Sequence, residues 1–277
     1  MRLSISNLAW DPNEDECIAG ILKSNKVDAI DVASGKYFPH PKQTTQTEIA
    51  RVKNWWAAHA IQITGMQALL FGTTGLNVFG SKKSQEDMLN HLQEICRIGN
   101  GLGAKHLVFG SPKNRDCAGL SEAQTKDTAH DFFNKLGDIA NNHNVIICLE
   151  PNPTLYGSNF MINSVETAKV VRDVNHPGIK MQLDVGAITI NKEYPNVIAD
   201  YVSLIGHIHA SEPHLIPLGD YAGSEHELMG NLINRLLPDH TIAIEMLATK
   251  DEPHPTSIER AIRTARKFYV KEECNGE

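Results

Sequence analysis

Four short apolar stretches each end on a side chain that can bind a cation or carry a proton. Val145-Ile146-Ile147-Cys148-Leu149 runs into Glu150, which Pro151 follows at once. Ile179-Lys180-Met181-Gln182-Leu183 ends in Asp184, Ser203-Leu204-Ile205-Gly206-His207-Ile208 in His209, and Thr241-Ile242-Ala243-Ile244 in Glu245. A short apolar run bounded by turn residues reads as a strand buried on both faces of a parallel sheet. A polar residue closing such a strand stands where a solvent-reachable pocket begins. Three carboxylates and an imidazole meeting at one point cannot stay unpaired there, and a divalent cation is the simplest way to satisfy them. Oxygen donors in excess favour a hard ion, so one divalent ion among Mn, Mg, Co and Zn is expected at Glu150, Asp184, His209 and Glu245. Any one of these residues alone is more often a helix cap, an exposed loop carboxylate or a satisfied polar side chain. The same position on four successive strands is hard to assign to caps.

Bringing four strand ends to one point requires a fold that collects them. Strand patterns fall at 3–10, 27–32, 62–70, 106–109, 145–150, 179–184, 203–209 and 241–245. Helical patterns alternate with them at 14–23, 47–59, 84–101, 122–141, 165–174, 196–201, 226–236 and 257–268. The helix over 84–101 is the clearest, with Met88, Leu92, Ile95 and Ile98 along one stripe and Ser84 and Asp87 resembling a capping box. Strict alternation implies parallel strands with helical crossovers, and eight units in a chain of this size match an α/β fold of the (β/α)8 TIM-barrel type. No linker or shift in composition divides the chain, so 1–277 is expected to form one domain. A doubly wound open sheet would want a Gly-rich phosphate turn after the first strand, and Ala9-Trp10-Asp11-Pro12 is not one. A barrel also accounts for the polar strand ends, because its chemistry lies at the C-terminal face.

Composition narrows the partners. A chain of 277 residues that is 41% hydrophobic has ample core, and a net charge of −7 argues against binding the nucleic-acid backbone. Five cysteines without a C-x-x-C pair suit a reducing compartment. Met1 leads straight into a strand pattern, and no apolar run approaches membrane-spanning length. A cytoplasmic protein without a nucleic-acid or membrane partner is expected.

Leu149-Glu150-Pro151, Leu183-Asp184, Gly206-His207-Ile208-His209 and Ile244-Glu245, each closing its strand, resemble the xylose-isomerase-like barrels, in particular their sugar epimerase and isomerase branch. The resemblance extends over nearly the whole chain. It implies Glu150, Asp184, His209 and Glu245 as ligands of one divalent ion, Glu150 and Glu245 as an acid/base pair, a small sugar or sugar phosphate as substrate, and a homo-oligomer as an available assembly. The chemistry is consistent with that pairing. A proton beside a carbonyl is weakly acidic, and a metal bridging the carbonyl and a neighbouring hydroxyl stabilises the enediolate. One carboxylate removes the proton; return by the other inverts the centre, whereas a single shuttling group isomerises.

The familiar substrate contacts are replaced. Sugar epimerases of this kind carry Glu, His and Arg where this chain has Tyr156, Ala187 and Leu215. Replacements are sought in Lys113 and Arg115, which either hold an anionic substrate group or form a solvated loop. His207 shares a strand face with His209 and is read as a substrate or supporting contact, or as a core-layer residue. Gln67, Asn152, Tyr156, Glu212 and His214 belong to candidate loops of the same face, and Trp10 either stacks on a sugar or packs. A metal-dependent sugar dehydratase or other lyase is the nearest alternative, since it shares the enediolate step. Endonuclease-IV-like repair enzymes of the same branch need further His ligands for three zinc ions, and strand ends two to four lack them. A non-catalytic sugar-binding barrel is supported only by the three replaced contacts.

Overall fold

The computed structural model describes residues 1–223 and 225–270; the polar tail with Cys274 lies outside the described residues. Eight strands and eight helices alternate: β1 (Arg2–Ser6), α1 (Asp15–Ser24), β2 (Ala29–Ala33), α2 (Gln46–Ala58), β3 (Gln62–Gln67), α3 (Lys82–Leu102), β4 (His106–Phe109), α4 (Glu122–Asn142), β5 (Ile146–Leu149), α5 (Ser164–Val174), β6 (Ile179–Asp184), α6 (Val185–Asn191), β7 (Ile205–Ser211), α7 (His226–Leu236), β8 (Thr241–Glu245) and α8 (His254–Tyr269). The strands close in sequence order into one parallel barrel, with β8 pairing back onto β1 from Arg2↔Thr241 to Ile5↔Ile244. The expected (β/α)8 barrel is the observed fold.

Local chemistry sets the element ends. The helix α2 opens on a capping box in which Thr45 and Glu48 satisfy each other's backbone N–H, and α4 opens on another made by Ser121 and Gln124. The capping box expected at Ser84 and Asp87 is not formed. The helix starts earlier, with Ser81 accepting from the Ser84 N–H at 3.2 Å. The Ser84 hydroxyl donates instead to Gly75 O at 2.6 Å, and Asp87 pairs with Lys83 at 3.0 Å. Expected strands 3–10 and 62–70 end sooner, at Ser6 and Gln67, because Ser6 caps a 3-10 turn over Asn7–Ala9 and Ala68 turns to φ 55°.

The largest difference lies between β6 and β7. The segment expected to be helical at 196–201 is a 3-10 stretch, Pro195–Asp200, and the crossover helix is α6, directly after β6. Its sequence, Val-Gly-Ala-Ile-Thr-Ile-Asn, is rich in β-branched residues of low helix propensity. A local N-cap offsets that preference, since Asp184 Oδ1 accepts from the Ala187 N–H at 2.6 Å.

The barrel interior is polar as well as apolar. Ser4, Asp31, Gln182 and His207 are buried beneath the mouth, and Asp31 pairs with His207 at 2.6 Å. Gly65 opposite Asp31 leaves room for that carboxylate, because a Cβ there would come within 2.8 Å of all three carboxylate atoms. Trp10 packs: its ring meets Trp56 edge-on and its Nε1 donates to Asp15 at 2.8 Å. All four described cysteines are free. Among the described residues no helix is long and apolar enough to cross a membrane.

Candidate metal centre and active site

The C-terminal ends of β5, β6, β7 and β8 bring Glu150, Asp184, His209 and Glu245 together, with one ligand atom from each lying within 4.8 Å of all the others. His209 Nδ1 is 3.1 Å from Glu245 Oε2, 3.4 Å from Glu150 Oε1 and 4.0 Å from Asp184 Oδ2. Yet both ring nitrogens of His209 and Glu150 Oε1 are buried without an aligned hydrogen-bond partner. Buried polar atoms are almost always paired, so atoms that crowd one point without bonding to each other suit a cation held between them.

Electrostatics agree. Burial, with the charges of Glu150 and Glu245, pushes the Asp184 carboxyl up to about 7. Burial opposes a charge on His209, but Glu245 and Glu150 outweigh it and hold the imidazole well above its ordinary value. Protons on these groups neutralise the bare site, and a divalent cation would displace them. Asp184 is both cap and site residue: Oδ1 caps α6 while Oδ2 accepts from Ser211 Oγ at 2.6 Å. Gly110 closes β4 beside Glu150, and any side chain there would collide with Glu150 Oε2.

Around this cluster opens a cavity of about 520 Å³, and Gln67, Lys113, Asn152, Tyr156, Glu212 and His214 all line it. Gln67 donates to Ser6 Oγ, and Asn152 Nδ2 donates to Glu150 Oε2 at 3.2 Å. The Tyr156 hydroxyl accepts from the His214 N–H at 2.8 Å, tying the loop after β5 to the loop after β7. Glu212 is 1% exposed and accepts from the Gly219 N–H at 2.9 Å, with His226 Nε2 3.2 Å away. Lys113 Nζ donates to Thr73 O at 3.3 Å.

Two expected contacts fall elsewhere. Arg115 is fully buried behind Glu150, where Nη1 donates to the Glu150 carbonyl at 2.7 Å, and it does not line the cavity. His207 lies one layer below the mouth, bound to Asp31, with its ring edge-on to His209 at 5.3 Å.

Sequence reasoning missed Ser211 and Asp31. Asp31 carries a usable signal, since a carboxylate inside the run Ala29–Ala33 must find a buried partner. Ser211 carries none. Among the described residues two further groups could hold an ion. Asp31, His207 and His209 are closed by the Asp31–His207 bond. Asp11, Glu14 and His254 are partly exposed, and His254 bonds Glu14 at 2.7 Å.

Fold and mouth define a class: a (β/α)8 barrel whose C-terminal face gathers three carboxylates and a histidine that could hold a cation. The family model for the xylose isomerase-like TIM barrel matches residues 20–268, and the chain belongs to that family. Among solved structures, D-psicose 3-epimerase from Clostridium cellulolyticum H10, with D-tagatose, superposes with a TM-score of 0.80 at 13% identity, over 97% of this chain and 99% of that one. A 3-keto-D-glucoside 4-epimerase from E. coli gives 0.74 at 15% identity, over 95% and 99%. The IOLI protein, with a bound zinc atom, gives 0.74 at 14%, over 98% and 100%. No curated protein matches the chain significantly.

Proposed function

We propose that the protein is a divalent-metal-dependent epimerase or isomerase of a sugar or sugar derivative, with Glu150 and Glu245 moving the proton. The observation carrying this is the set of buried, partnerless ligand atoms on Glu150 and His209 facing Asp184 and Glu245. A divalent ion held by these four residues would supply Lewis acidity, making a proton beside a carbonyl removable at neutral pH. The chain supplies the rest. Asn152 orients the Glu150 carboxylate, and Arg115 fixes its backbone carbonyl. Glu245 is held against His209. Because β5 and β8 stand three strands apart in the closed order, the two carboxylates reach the mouth from separate sectors of the barrel. One can therefore take a proton from carbon while the other returns one, which inverts a centre when both act on the same carbon.

The sugars named for the neighbours, D-psicose and a 3-keto-D-glucoside, start the screen. The test is metal content together with incorporation of solvent deuterium into the sugar, for the wild type and Glu245→Gln. One ion per chain, with exchange that the variant loses, supports the proposal. A metal-loaded protein that exchanges no carbon-bound proton in any sugar refutes it, and two or three ions per chain would point to nuclease-type chemistry.

A further inference from the structure

We infer that the sugar taken by this site carries an apolar substituent, as an alkyl or aryl keto-glycoside does, and carries no phosphate. The inference rests on the sugar-epimerase reading of the site and names its substrate class.

The cavity lining is more apolar than polar. Its carboxylates, Glu150, Asp184, Glu212 and Glu245, sit at the strand ends or just past them. Most of the remaining lining is apolar, with Leu8, Leu70, Phe71, Pro151, Pro153 and Leu215 beside the polar Gln67, Ser111, Lys113, Asn152, Tyr156 and His214. Phe71 is 85% exposed, and Leu155 and Leu247 stand 58% and 46% exposed on the neighbouring loops after β5 and β8. The Leu247 N–H donates to Leu215 O at 2.8 Å, which ties the loop after β8 to the loop that carries Leu215. Of these exposed apolar side chains, Phe71 itself lines the cavity. Apolar walls with a few convergent polar groups are what hold a partly apolar small molecule. About 520 Å³ also lies within the range for drug-sized ligands, roughly 300–1,000 Å³, leaving space beyond one sugar ring.

The backbone is set for this wall. Ala68, His214 and Leu215 all line the cavity with φ of 55°, 61° and 54°, a region that L side chains avoid. The tie between the Tyr156 hydroxyl and the His214 N–H occupies the polar end of Tyr156. A phosphate finds little to hold it. Lys113 is the one Lys or Arg lining the cavity among the described residues, and one of its donors goes to Thr73 O at 3.3 Å. Arg115 is sealed behind Glu150.

The test is calorimetric titration of the metal-loaded protein with phenyl 3-keto-glucoside, methyl 3-keto-glucoside and fructose 6-phosphate, alongside deuterium exchange and sedimentation. The phenyl compound should bind roughly tenfold or more tighter than the methyl compound, and the phosphate most weakly. Phe71→Ser and Leu215→Asn should each narrow the phenyl-to-methyl ratio; Phe71 is exposed enough for its replacement to leave the fold intact. Equal affinity for the two glycosides, or tighter binding of the phosphate, overturns the inference. So does a Phe71→Ser change in oligomeric mass without a change in ratio, because the rim would then belong to a second copy. Parity with deuterium exchange intact defeats this inference alone; a phenyl preference without exchange defeats the catalytic proposal alone.

Discussion

Asp184→Asn separates a metal ligand from a helix cap, because the two roles predict opposite signs. In the metal-free protein, burial and the charges of Glu150 and Glu245 push the Asp184 carboxyl from 3.8 to about 7. A carboxyl raised in the folded state binds more protons folded than unfolded between those values. Its contribution is therefore full below about 4 and is lost as pH rises through 7. Three units correspond to about 4 kcal/mol, or on the order of 10 °C in Tm for a chain of this length. His209, held well above its ordinary value against the penalty of burial, adds a loss of the same sign at higher pH. The Asn side chain retains the Oδ1 that accepts from Ala187 N–H, removes the charge and replaces the Oδ2 that accepts from Ser211 with an amide donor. In thermal unfolding with chelator, the wild type should lose stability from pH 5 to pH 8. The variant should lose much less and at pH 8 be at least as stable. Manganese at a hundred times its Kd should stabilise the wild type by about 2.7 kcal/mol and the variant far less. A variant whose stability follows that of the wild type from pH 5 to pH 8, with the manganese effect unchanged, would mean that Asp184 is a cap and nothing more.

Other substitutions probe the support around the site. Gly110→Ala places a methyl group on Glu150 Oε2; overpacking of about 1–3 kcal/mol should weaken manganese binding by about tenfold, and unchanged affinity in a titration would show that Glu150 has room to move. Arg115→Met removes the hold on the Glu150 carbonyl and should lower kcat by about tenfold with KM nearly unchanged; a rise in KM confined to phosphorylated sugars would place the guanidinium on substrate instead. Asp31→Ala leaves buried His207 without its partner at 2.6 Å and should cost about 3 kcal/mol in urea unfolding. Although burial opposes its charge, Asp31 is held down to about 2 by His207. The wild type should therefore lose the Asp31 carboxylate's contribution as pH falls from about 4 toward 2, and the variant should lack that acid transition.

Most of the barrel is legible because its elements carry local signals. Strands at His106–Phe109, Ile179–Asp184 and Thr241–Glu245 and the helix His226–Leu236 stand where periodicity and turn residues place them. The helix α6 is illegible for the opposite reason. Its residues favour a strand, and what makes it helical is a cap supplied by the last residue of β6 together with burial of Val185 and Ile188.

At the mouth the same division separates reaction from specificity. Glu150, Asp184, His209 and Glu245 can be read because a strand end is a position in the sequence, and closure of the sheet carries four such positions to one place. Tyr156, Ala187 and Leu215 read only as replacements of polar groups, since what they do instead depends on loop conformations that the sequence does not announce. Leu215 faces the cavity through consecutive left-handed residues, and Tyr156 does so tied to His214 across two loops. A rigid floor on strands and a variable wall on loops lets one proton-transfer chemistry meet different substrates. An intact floor under an altered wall therefore argues for a changed substrate more strongly than for lost catalysis. Relaxed constraint would be expected to erode the charged floor too, because four acidic and basic groups crowded together in the barrel destabilise it unless they are in use.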